Sequence, residues 1–232
     1  TRSLAGGQFK LAANAPYKEE FLNLVRFYEN QFSKMDNVKV YYNMEATLDT
    51  IKSCNPEAVV LATGARAMVP EIEGIDQPNV FSNHDQLEWE NLLSGKVAVI
   101  GGGCAGAGTA DRLSEKGMEV CIIEMGEECA LDEEFITRLS LMNRMAEKNV
   151  KIMCRYTVKK IVEKGVVAED QEKKEELIPA DYVVLAFGAV AENPLEHKVR
   201  EFFDQCYVIG DAVSPRKIMD AVSEGFFVGN GI

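Results

Sequence analysis

The sequence lacks the features that mark membrane-spanning and metal-binding proteins. It contains no run of about 18 apolar residues, the length that a bilayer-spanning helix needs. Its six cysteines form no CxxC pair, so neither a zinc ribbon nor a redox dithiol is encoded locally. We therefore predict reduced thiols, a cytoplasmic location and no metal site.

Positive charge and histidine are also scarce. Lys and Arg number 25 against 37 Asp and Glu, which gives a net charge of -12. Nucleic acids and anionic membrane surfaces require clustered positive charge, so neither is expected as a partner. The two histidines, His84 and His197, fall in predicted loop or helix-start positions, and no acid–base catalyst is predicted. We expect a small-molecule substrate and a homo-oligomer.

Strand-like apolar runs alternate with amphipathic helices along the chain. The segment 65–82, which holds Pro70, Gly74 and Pro78, is interpreted as a connector. Near-continuous apolar strands that alternate with helices are typical of a parallel sheet in an α/β fold. Helices are predicted at 17–35, from the glycine turn at 101–106 to residue 116, at 133–148, and from 215 onward. Strands are predicted at 38–42, 58–62, 96–100, 119–124, 150–154, 182–187 and 207–209. Three further short strands, at 158–162, 166–168 and 175–178, are predicted to form a meander.

A glycine-rich turn follows the predicted strand 96–100. Gly101, Gly103 and Gly106 form a GxGxxG pattern between that strand and a helix, the context that turns the pattern into a dinucleotide-binding prediction. Gly101 permits the tight turn, Gly103 lets the backbone approach a pyrophosphate, and Gly106 lets the helix pack close to the strand. The pyrophosphate would lie on the helix N-terminus, where free N–H groups favour anions.

The next strand ends in an acidic residue, Glu124, which lies 18 positions beyond Gly106. Its carboxylate can accept hydrogen bonds from both ribose hydroxyls, whereas a 2′-phosphate would meet a like charge, and no Arg follows directly. We therefore predict NADH rather than NADPH. Cys104 and Ala105 lie inside the turn, and Cys104 is interpreted as a small residue under the pyrophosphate rather than a redox group.

Two further motifs resemble those of flavoproteins that bind two dinucleotides. Val60-Leu61-Ala62-Thr63-Gly64-Ala65 resembles the ATG motif that crosses between the domains of such reductases, and Val184-Leu185-Ala186-Phe187-Gly188-Ala189 resembles a looser second copy. Tyr207-Val208-Ile209-Gly210-Asp211-Ala212 resembles their second FAD motif. The resemblance implies that Asp211 accepts a hydrogen bond from a ribityl hydroxyl of FAD. It also implies that the strand-end residues of these motifs contribute to cofactor binding, namely Ala62, Thr63, Gly64, Gly188 and Gly210.

The flanking segments narrow the resemblance to one group. Gly6-Gly7-Gln8 and Pro215-Arg216-Lys217-Ile218-Met219-Asp220-Ala221 are similar to the C-terminal reductase region of NADH:flavin oxidoreductases related to 2,4-dienoyl-CoA reductase, 2-enoate reductase and trimethylamine dehydrogenase. The resemblance implies a Rossmann-like NAD(H) domain at 85–195, with a central parallel sheet and a β-meander. The resemblance also implies that this domain is inserted into a Rossmann-like FAD domain made of 1–84 and 196–232, in which Gly6, Gly7, Gln8 and Asp211 belong to the FAD site.

The family's FAD domain opens with a strand–GxGxxG–helix–strand unit that is not found ahead of Gly6. We therefore expect a fragment of a longer enzyme, inactive alone, with an incomplete FAD domain and without the family's FMN-holding barrel and iron–sulfur segment. In the parent enzyme, hydride would pass from NADH to FAD, and electrons would pass through the cluster to FMN, which reduces an activated C=C bond. The alternatives are a barrel-less NADH-dependent FAD reductase of the ferredoxin or disulfide type, and a non-catalytic NAD-binding module.

Overall fold

The computed structural model describes residues 5–85 and 94–232. The chain separates into two compact units. The described residues of the larger unit are 5–40, 69–85 and 94–188, and the smaller unit contains 41–68 and 189–232. The predicted bounds of the cofactor domains, 1–84, 85–195 and 196–232, differ from these units, and the assignment of each segment to a cofactor stays a prediction.

The helices and strands of the described residues alternate along most of the chain, as an α/β fold requires. The helices are α1 (Gly7–Ala12), α2 (Phe21–Phe32), α3 (Leu48–Ser53), α4 (Cys104–Glu115), α5 (Phe135–Glu147), α6 (Glu196–Arg200) and α7 (Ile218–Gly231). The strands are β1 (Val59–Leu61), β2 (Ala65–Ala67), β3 (Val80–Ser82), β4 (Lys96–Ile100), β5 (Glu119–Glu124), β6 (Lys151–Cys154), β7 (Thr157–Val162), β8 (Gly165–Glu169), β9 (Glu175–Pro179), β10 (Tyr182–Leu185), β11 (Ala189–Ala191) and β12 (Cys206–Val208).

A five-stranded parallel sheet forms the centre of the larger unit, in the order β3-β10-β4-β5-β6. Side chains alternate between its two faces, and each face has its own core. Val97, Val99 and Ile122 pack on the face covered by α4 and α5, while Ala98 and Ile100 pack on the face covered by the meander β7-β8-β9. The predicted central parallel sheet and β-meander are confirmed.

A buried ion-pair network joins α4 to α5. The Asp111 side chain is fully buried, and its Oδ2 accepts from Arg144 Nη2 at 2.8 Å while its Oδ1 accepts from Lys148 Nζ at 2.9 Å. A buried carboxylate is stable only when it is paired and hydrogen-bonded, so these two cations fix how the two helices pack.

The smaller unit is built on two short strand pairs. β1 pairs with β12 in parallel, and Val59, Leu61, Val199 and Cys206 form its buried core. β2 pairs with β11 in antiparallel orientation. Among its described residues the parallel sheet therefore has two strands.

Two sequence-based predictions of local structure are wrong. No strand forms at 38–42, although four of these five residues are β-branched or aromatic. No strand of the described residues pairs with this segment, and Val40, Tyr41 and Tyr42 are exposed there. The segment 65–82 is more than a connector, since β2 and β3 lie at its two ends. Among the residues described, no helix combines the length and apolarity needed to cross a bilayer.

Candidate functional site

The glycine turn lies where the order of the parallel sheet changes direction. The chain moves from β4 to β5 on one side and later returns to β10 on the other side of β4. Ligands of open α/β sheets bind beyond the carboxyl ends of the strands at such a switch point. Gly101 follows β4 directly and Glu124 ends β5, so the sheet places both at this position.

Two glycines of the turn are required by its geometry. Gly101 adopts φ +100°, and a Cβ there would lie 2.4 Å from the carbonyl oxygen of Ala186. A Cβ on Gly106 would lie 1.9 Å from the carbonyl oxygen of Gly101, so only glycine allows α4 to approach β4 this closely. Gly103 is the N-cap of α4 in an extended conformation, with no side chain to screen the helix N-terminus.

A residue that the sequence analysis missed, Asp132, lies at that N-terminus. The backbone N–H of Cys104 donates to Asp132 Oδ1 at 2.7 Å. The side chain is exposed, and its position depends on the loop between β5 and α5. No local pattern signals this contact, because the two residues are 28 positions apart.

Glu124 is held against the same turn by two backbone donors. Its Oε2 accepts from the Gly102 N–H at 2.5 Å, and its Oε1 accepts from the Gly126 N–H at 2.6 Å. A carboxylate has about four acceptor positions, so these two bonds leave capacity for ribose hydroxyls. The carboxylate is half-buried and fixed in orientation before any ligand binds.

A cleft of about 390 Å³ opens beside the turn; we call it the nucleotide cleft. Five of the predicted NAD(H) residues, together with Gly188, contribute to its lining, while Gly106 lies beneath the turn. The remaining walls are mostly apolar, as is usual for a cofactor site. The lining residues are Ile72, Ile100, Gly101, Gly103, Cys104, Ala105, Ile123, Glu124, Met125, Asp132, Tyr156, Thr157, Val158, Ala186, Phe187 and Gly188.

A second cleft of about 310 Å³ also reaches the N-terminal end of α4. It shares Cys104, Ala105 and Asp132 with the nucleotide cleft. Gln8, predicted from the resemblance to contact FAD, lies in its lining together with Lys18. The second cleft therefore brings a predicted FAD residue and two predicted NAD(H) residues to one surface.

Cys104 is part of a hydrogen-bonded group that disfavours thiol chemistry. Its Sγ donates to Glu133 Oε2 at 3.0 Å, and Lys18 Nζ donates to the same oxygen at 3.0 Å. Burial and the Glu133 hydrogen bond raise the pKa of Cys104 to about 12. Burial opposes ionisation of Glu133, but the hydrogen bonds from Cys104 and Lys18 outweigh it and lower the Glu133 pKa. Cys104 is therefore a neutral thiol, in agreement with its interpretation as a small packing residue.

The other predicted FAD residues of the N-terminal segment begin α1. Gly6 is the N-cap of α1 with φ +100°, and Gly7 follows with φ +47°. A Cβ on Gly6 would lie 2.7 Å from the Lys10 side chain, so this turn is tight. Both glycines are exposed, whereas Gln8 is half-buried.

In the smaller unit, the first ATG-like segment is joined to the residues that follow the second one, since β11 begins at Ala189 and Glu192 lies just beyond it. β2 follows Gly64 and pairs with β11, and the Thr63 hydroxyl donates to the Glu192 carbonyl oxygen. The Glu192 N–H donates to the Gly64 carbonyl oxygen at 3.0 Å. Ala62 and Thr63 are exposed at the end of β1. Their predicted role in cofactor binding stays a prediction.

Gly210 and Asp211 follow β12 and begin a short 3-10 turn. The Gly210 N–H donates to Glu224 Oε2 at 2.6 Å, and Asp211 Oδ1 accepts from the Arg216 N–H at 3.1 Å. The Gly210 hydrogen bond and the Arg216 ion pair lower the pKa of Glu224. Asp211 is half-buried at the strand end, and its predicted bond to FAD stays a prediction.

The residues of the larger unit fit an NAD(H) molecule. The turn supplies a helix N-terminus and a glycine-lined backbone for a pyrophosphate, and Glu124 supplies acceptors for a ribose. Gln8 lies in the second cleft, and its predicted contact with FAD stays a prediction. The arrangement suits redox cofactors, which would supply the chemistry that the thiols and histidines of this chain do not.

Comparisons with known proteins identify the family of the chain. A family model described as "Pyridine nucleotide-disulphide oxidoreductase" matches residues 18–225. The chain is 35% identical over 232 residues to an NADH oxidase of Thermoanaerobacter brockii, covering 96% of this chain and 35% of that protein. It is 36% identical over 229 residues to a bilirubin reductase of Mediterraneibacter gnavus, covering 97% of this chain and 35% of that protein.

One solved structure is similar to this chain over almost its whole length. It is a complex of 2-naphthoyl-CoA reductase with 2-naphthoyl-CoA, and it matches with a TM-score of 0.90 and 34% sequence identity. The match covers 97% of this chain and 34% of the reductase. The chain thus spans about a third of the length of these proteins. The predicted resemblance to flavin-dependent reductases is confirmed. The chain belongs to the pyridine nucleotide-disulphide oxidoreductase family, whose Rossmann-like fold binds FAD and NAD(P)H.

Proposed function

We propose that this chain is the nucleotide-binding part of an NADH-dependent flavin oxidoreductase, in which NADH supplies a hydride to FAD. The observation that carries the proposal is the pair of clefts at the N-terminus of α4. One cleft is lined by the glycine turn and Glu124, and the other by Gln8, while Cys104 and Ala105 belong to both. Two cofactors bound in these clefts would meet over the same helix end.

The protein's contribution is to bind and orient the two cofactors. The backbone N–H groups and the dipole at the N-terminus of α4 would hold the pyrophosphate of NADH, and Glu124 would accept hydrogen bonds from its ribose hydroxyls. Because Glu124 is already fixed by Gly102 and Gly126, little conformational entropy is lost when the ribose binds. The apolar walls of the nucleotide cleft would exclude water from the nicotinamide.

The charges around Glu124 support NADH as the preferred nucleotide. A 2′-phosphate would lie next to the Glu124 carboxylate, which repels it. Two arginines on neighbouring segments are already paired with carboxylates, Arg155 with Glu127 at 3.2 Å and Arg138 with Glu128 at 2.5 Å.

The free thiols disfavour a disulfide reductase. All six cysteines are unpaired. Burial raises the pKa of Cys121 to about 11 and that of Cys129 to about 12, as it does for Cys104. Thiol–disulfide exchange needs a thiolate, and these groups stay neutral at physiological pH.

For the whole protein, we propose that electrons continue through an iron–sulfur cluster to FMN, which reduces an activated carbon–carbon double bond. The name of one relative supports this substrate class, because 2-naphthoyl-CoA carries a thioester carbonyl conjugated to an unsaturated ring. We propose that the acid that protonates the reduced bond lies outside this chain, since His197 is exposed and pairs with Glu201, and neither histidine is in the lining of the nucleotide cleft.

The proposal is tested by the visible spectrum of flavin bound to the protein. The purified chain is mixed with excess FAD, freed of unbound flavin by gel filtration, and given NADH under anaerobic conditions. Retained flavin whose absorbance is bleached by NADH supports the proposal and overturns the expectation that the chain is inactive alone. Retained flavin that NADH leaves oxidised contradicts it. If no flavin is retained, NADH should still raise the melting temperature, because a ligand that binds only the folded state stabilises it.

A further inference from the structure

The loop before α5 wraps around the glycine turn. The buried Cys129 Sγ donates to the Gly102 carbonyl oxygen at 3.0 Å, and the N–H of the buried Ala130 donates to the same oxygen at 2.7 Å. Two residues further along, Asp132 accepts the Cys104 N–H at 2.7 Å. We call residues 129–133 the cover segment.

Asp132 occupies the position that a bound anion would take. Its carboxylate accepts the first free N–H of α4, which is one of the donors that a pyrophosphate uses at a helix N-terminus. A Cβ built on Gly103 would lie 3.5 and 3.6 Å from the two Asp132 oxygens. The carboxylate is therefore beside the glycine over which the pyrophosphate is predicted to pass, and the two anions cannot both bind there.

The cover segment can release Asp132 without moving. Cys129 and Ala130 are 1% exposed and are anchored to Gly102, and Glu133 is anchored by Lys18 and Cys104. Asp132 lies between these anchors, and its own side chain is exposed to solvent. Rotation about the Asp132 side-chain bonds therefore frees the helix end while the rest of the segment stays in place.

We propose that Asp132 is a built-in competitor of the nucleotide, which binds the α4 N-terminus when NAD(H) is absent and is displaced when NAD(H) binds. The inference rests on the proposed binding of NAD(H) at this turn. Its consequence is a lower affinity for both NADH and NAD⁺, because each must break the Asp132 bond and bind close to a displaced carboxylate. Asp132 thus favours release of the oxidised nucleotide after hydride transfer.

The test measures the Kd of NADH by its fluorescence on titration with the full chain. Asp132→Asn keeps the shape of the side chain and removes its charge, whereas Asp132→Ala also removes the competing acceptor. The matched control is Glu163→Gln, which removes one exposed negative charge at the tip of the β7–β8 hairpin of the same unit. Circular dichroism and thermal unfolding check that each variant is folded.

The charge alone sets the expected size of the effect. Two unit charges about 4 Å apart in water repel by about 1 kcal/mol, which corresponds to about a five-fold change in Kd. Asp132→Asn should therefore lower the Kd of NADH by about five-fold at low salt, and Asp132→Ala by at least as much. The gain of Asp132→Asn should shrink to less than about two-fold at 1 M salt, where the screening length is about 3 Å. Glu163→Gln should leave the Kd unchanged.

The outcomes separate this inference from the proposed function. If the wild-type chain binds NADH and both Asp132 variants bind it equally well or more weakly, the competitor role is wrong while the NAD(H) site stands. An equal gain in the Glu163 control would show a general charge effect and would also overturn the inference. If neither the wild type nor the variants bind NADH, the proposed function itself is wrong.

Discussion

The close approach of α4 to β4 can be tested by adding a single methyl group. In Gly106→Ala the new Cβ would lie 1.9 Å from the Gly101 carbonyl oxygen and 3.1 Å from the Ala186 Cβ. A comfortable C···O contact is about 3.3 Å, so the helix end must retreat by roughly 1.4 Å. Gly108→Ala is the matched control, because a Cβ there lies 3.6 Å from the Ala15 Cβ, an ordinary contact.

The two substitutions should change stability in opposite directions. Overpacking costs about 1–3 kcal/mol, and Gly106→Ala recovers up to about 1 kcal/mol of it through helix propensity. Gly108→Ala gains the same helix propensity without the cost of overpacking. We therefore expect the free energies of unfolding of the two variants to differ by about 2 kcal/mol, or about 4–8 °C in melting temperature. Urea titration followed by circular dichroism measures this difference.

The same pair of variants should differ in nucleotide binding. Retreat of the helix end removes at least one hydrogen bond from a backbone N–H to the pyrophosphate, which costs about 1.5–3 kcal/mol and raises the Kd of NADH about ten-fold or more. Gly108→Ala should bind NADH like the wild type. Equal stability and equal affinity of the two variants would refute the assignment of Gly106 to the contact between helix and strand.

Three other predictions concern single side chains. Asp111→Ala removes a fully buried carboxylate and leaves two partly exposed cations without their partner, so it should lower the free energy of unfolding by about 3 kcal/mol. A loss below about 1 kcal/mol in urea titration would show that the network is dispensable. Because the pKa of Cys104 is raised to about 12, iodoacetamide at pH 8 should alkylate its thiol far more slowly than that of the exposed Cys54. Equal labelling of the two cysteines in peptide mass spectrometry would contradict this expectation. Glu124→Gln removes the repulsion between the carboxylate and a 2′-phosphate, so the ratio of the Kd of NADPH to that of NADH should fall by about five-fold. The control Glu163→Gln should leave this ratio unchanged. An unchanged ratio in Glu124→Gln would show that Glu124 does not cause the preference for NADH.

The sequence predicts the central sheet well because its signals are local. Apolar runs define β4 and β5, and the GxGxxG pattern fixes where α4 must begin. Each of these features follows from a few neighbouring residues. The sequence alone therefore places the site residues Gly101, Gly103 and Glu124 at one end of one sheet.

Features that depend on distant partners could not be predicted. The strands β2 and β3 have three residues each, and only their neighbours β11 and β10 make them strands. Conversely, the β-rich run at 38–42 has no neighbour among the described residues and stays irregular. Short strands are defined by pairing rather than by their own composition.

The contacts around the glycine turn also join residues that are distant in sequence, so the sequence does not predict them. Lys18 meets Glu133 across 115 positions, and Asp132 meets Cys104 across 28. The sequence places Glu124 beside a ribose but does not show that Gly102 and Gly126 already hold its carboxylate. These contacts come from the fold, which brings loops from several strand ends to one helix terminus.

Calorimetric titration of the chain with NADH and then NADPH tests the central claim most directly. The account predicts that NADH binds with one site per chain and that NADPH binds at least about five-fold more weakly, because its 2′-phosphate meets Glu124. Binding of NADPH as tight as that of NADH, or no binding of either nucleotide, would contradict the account.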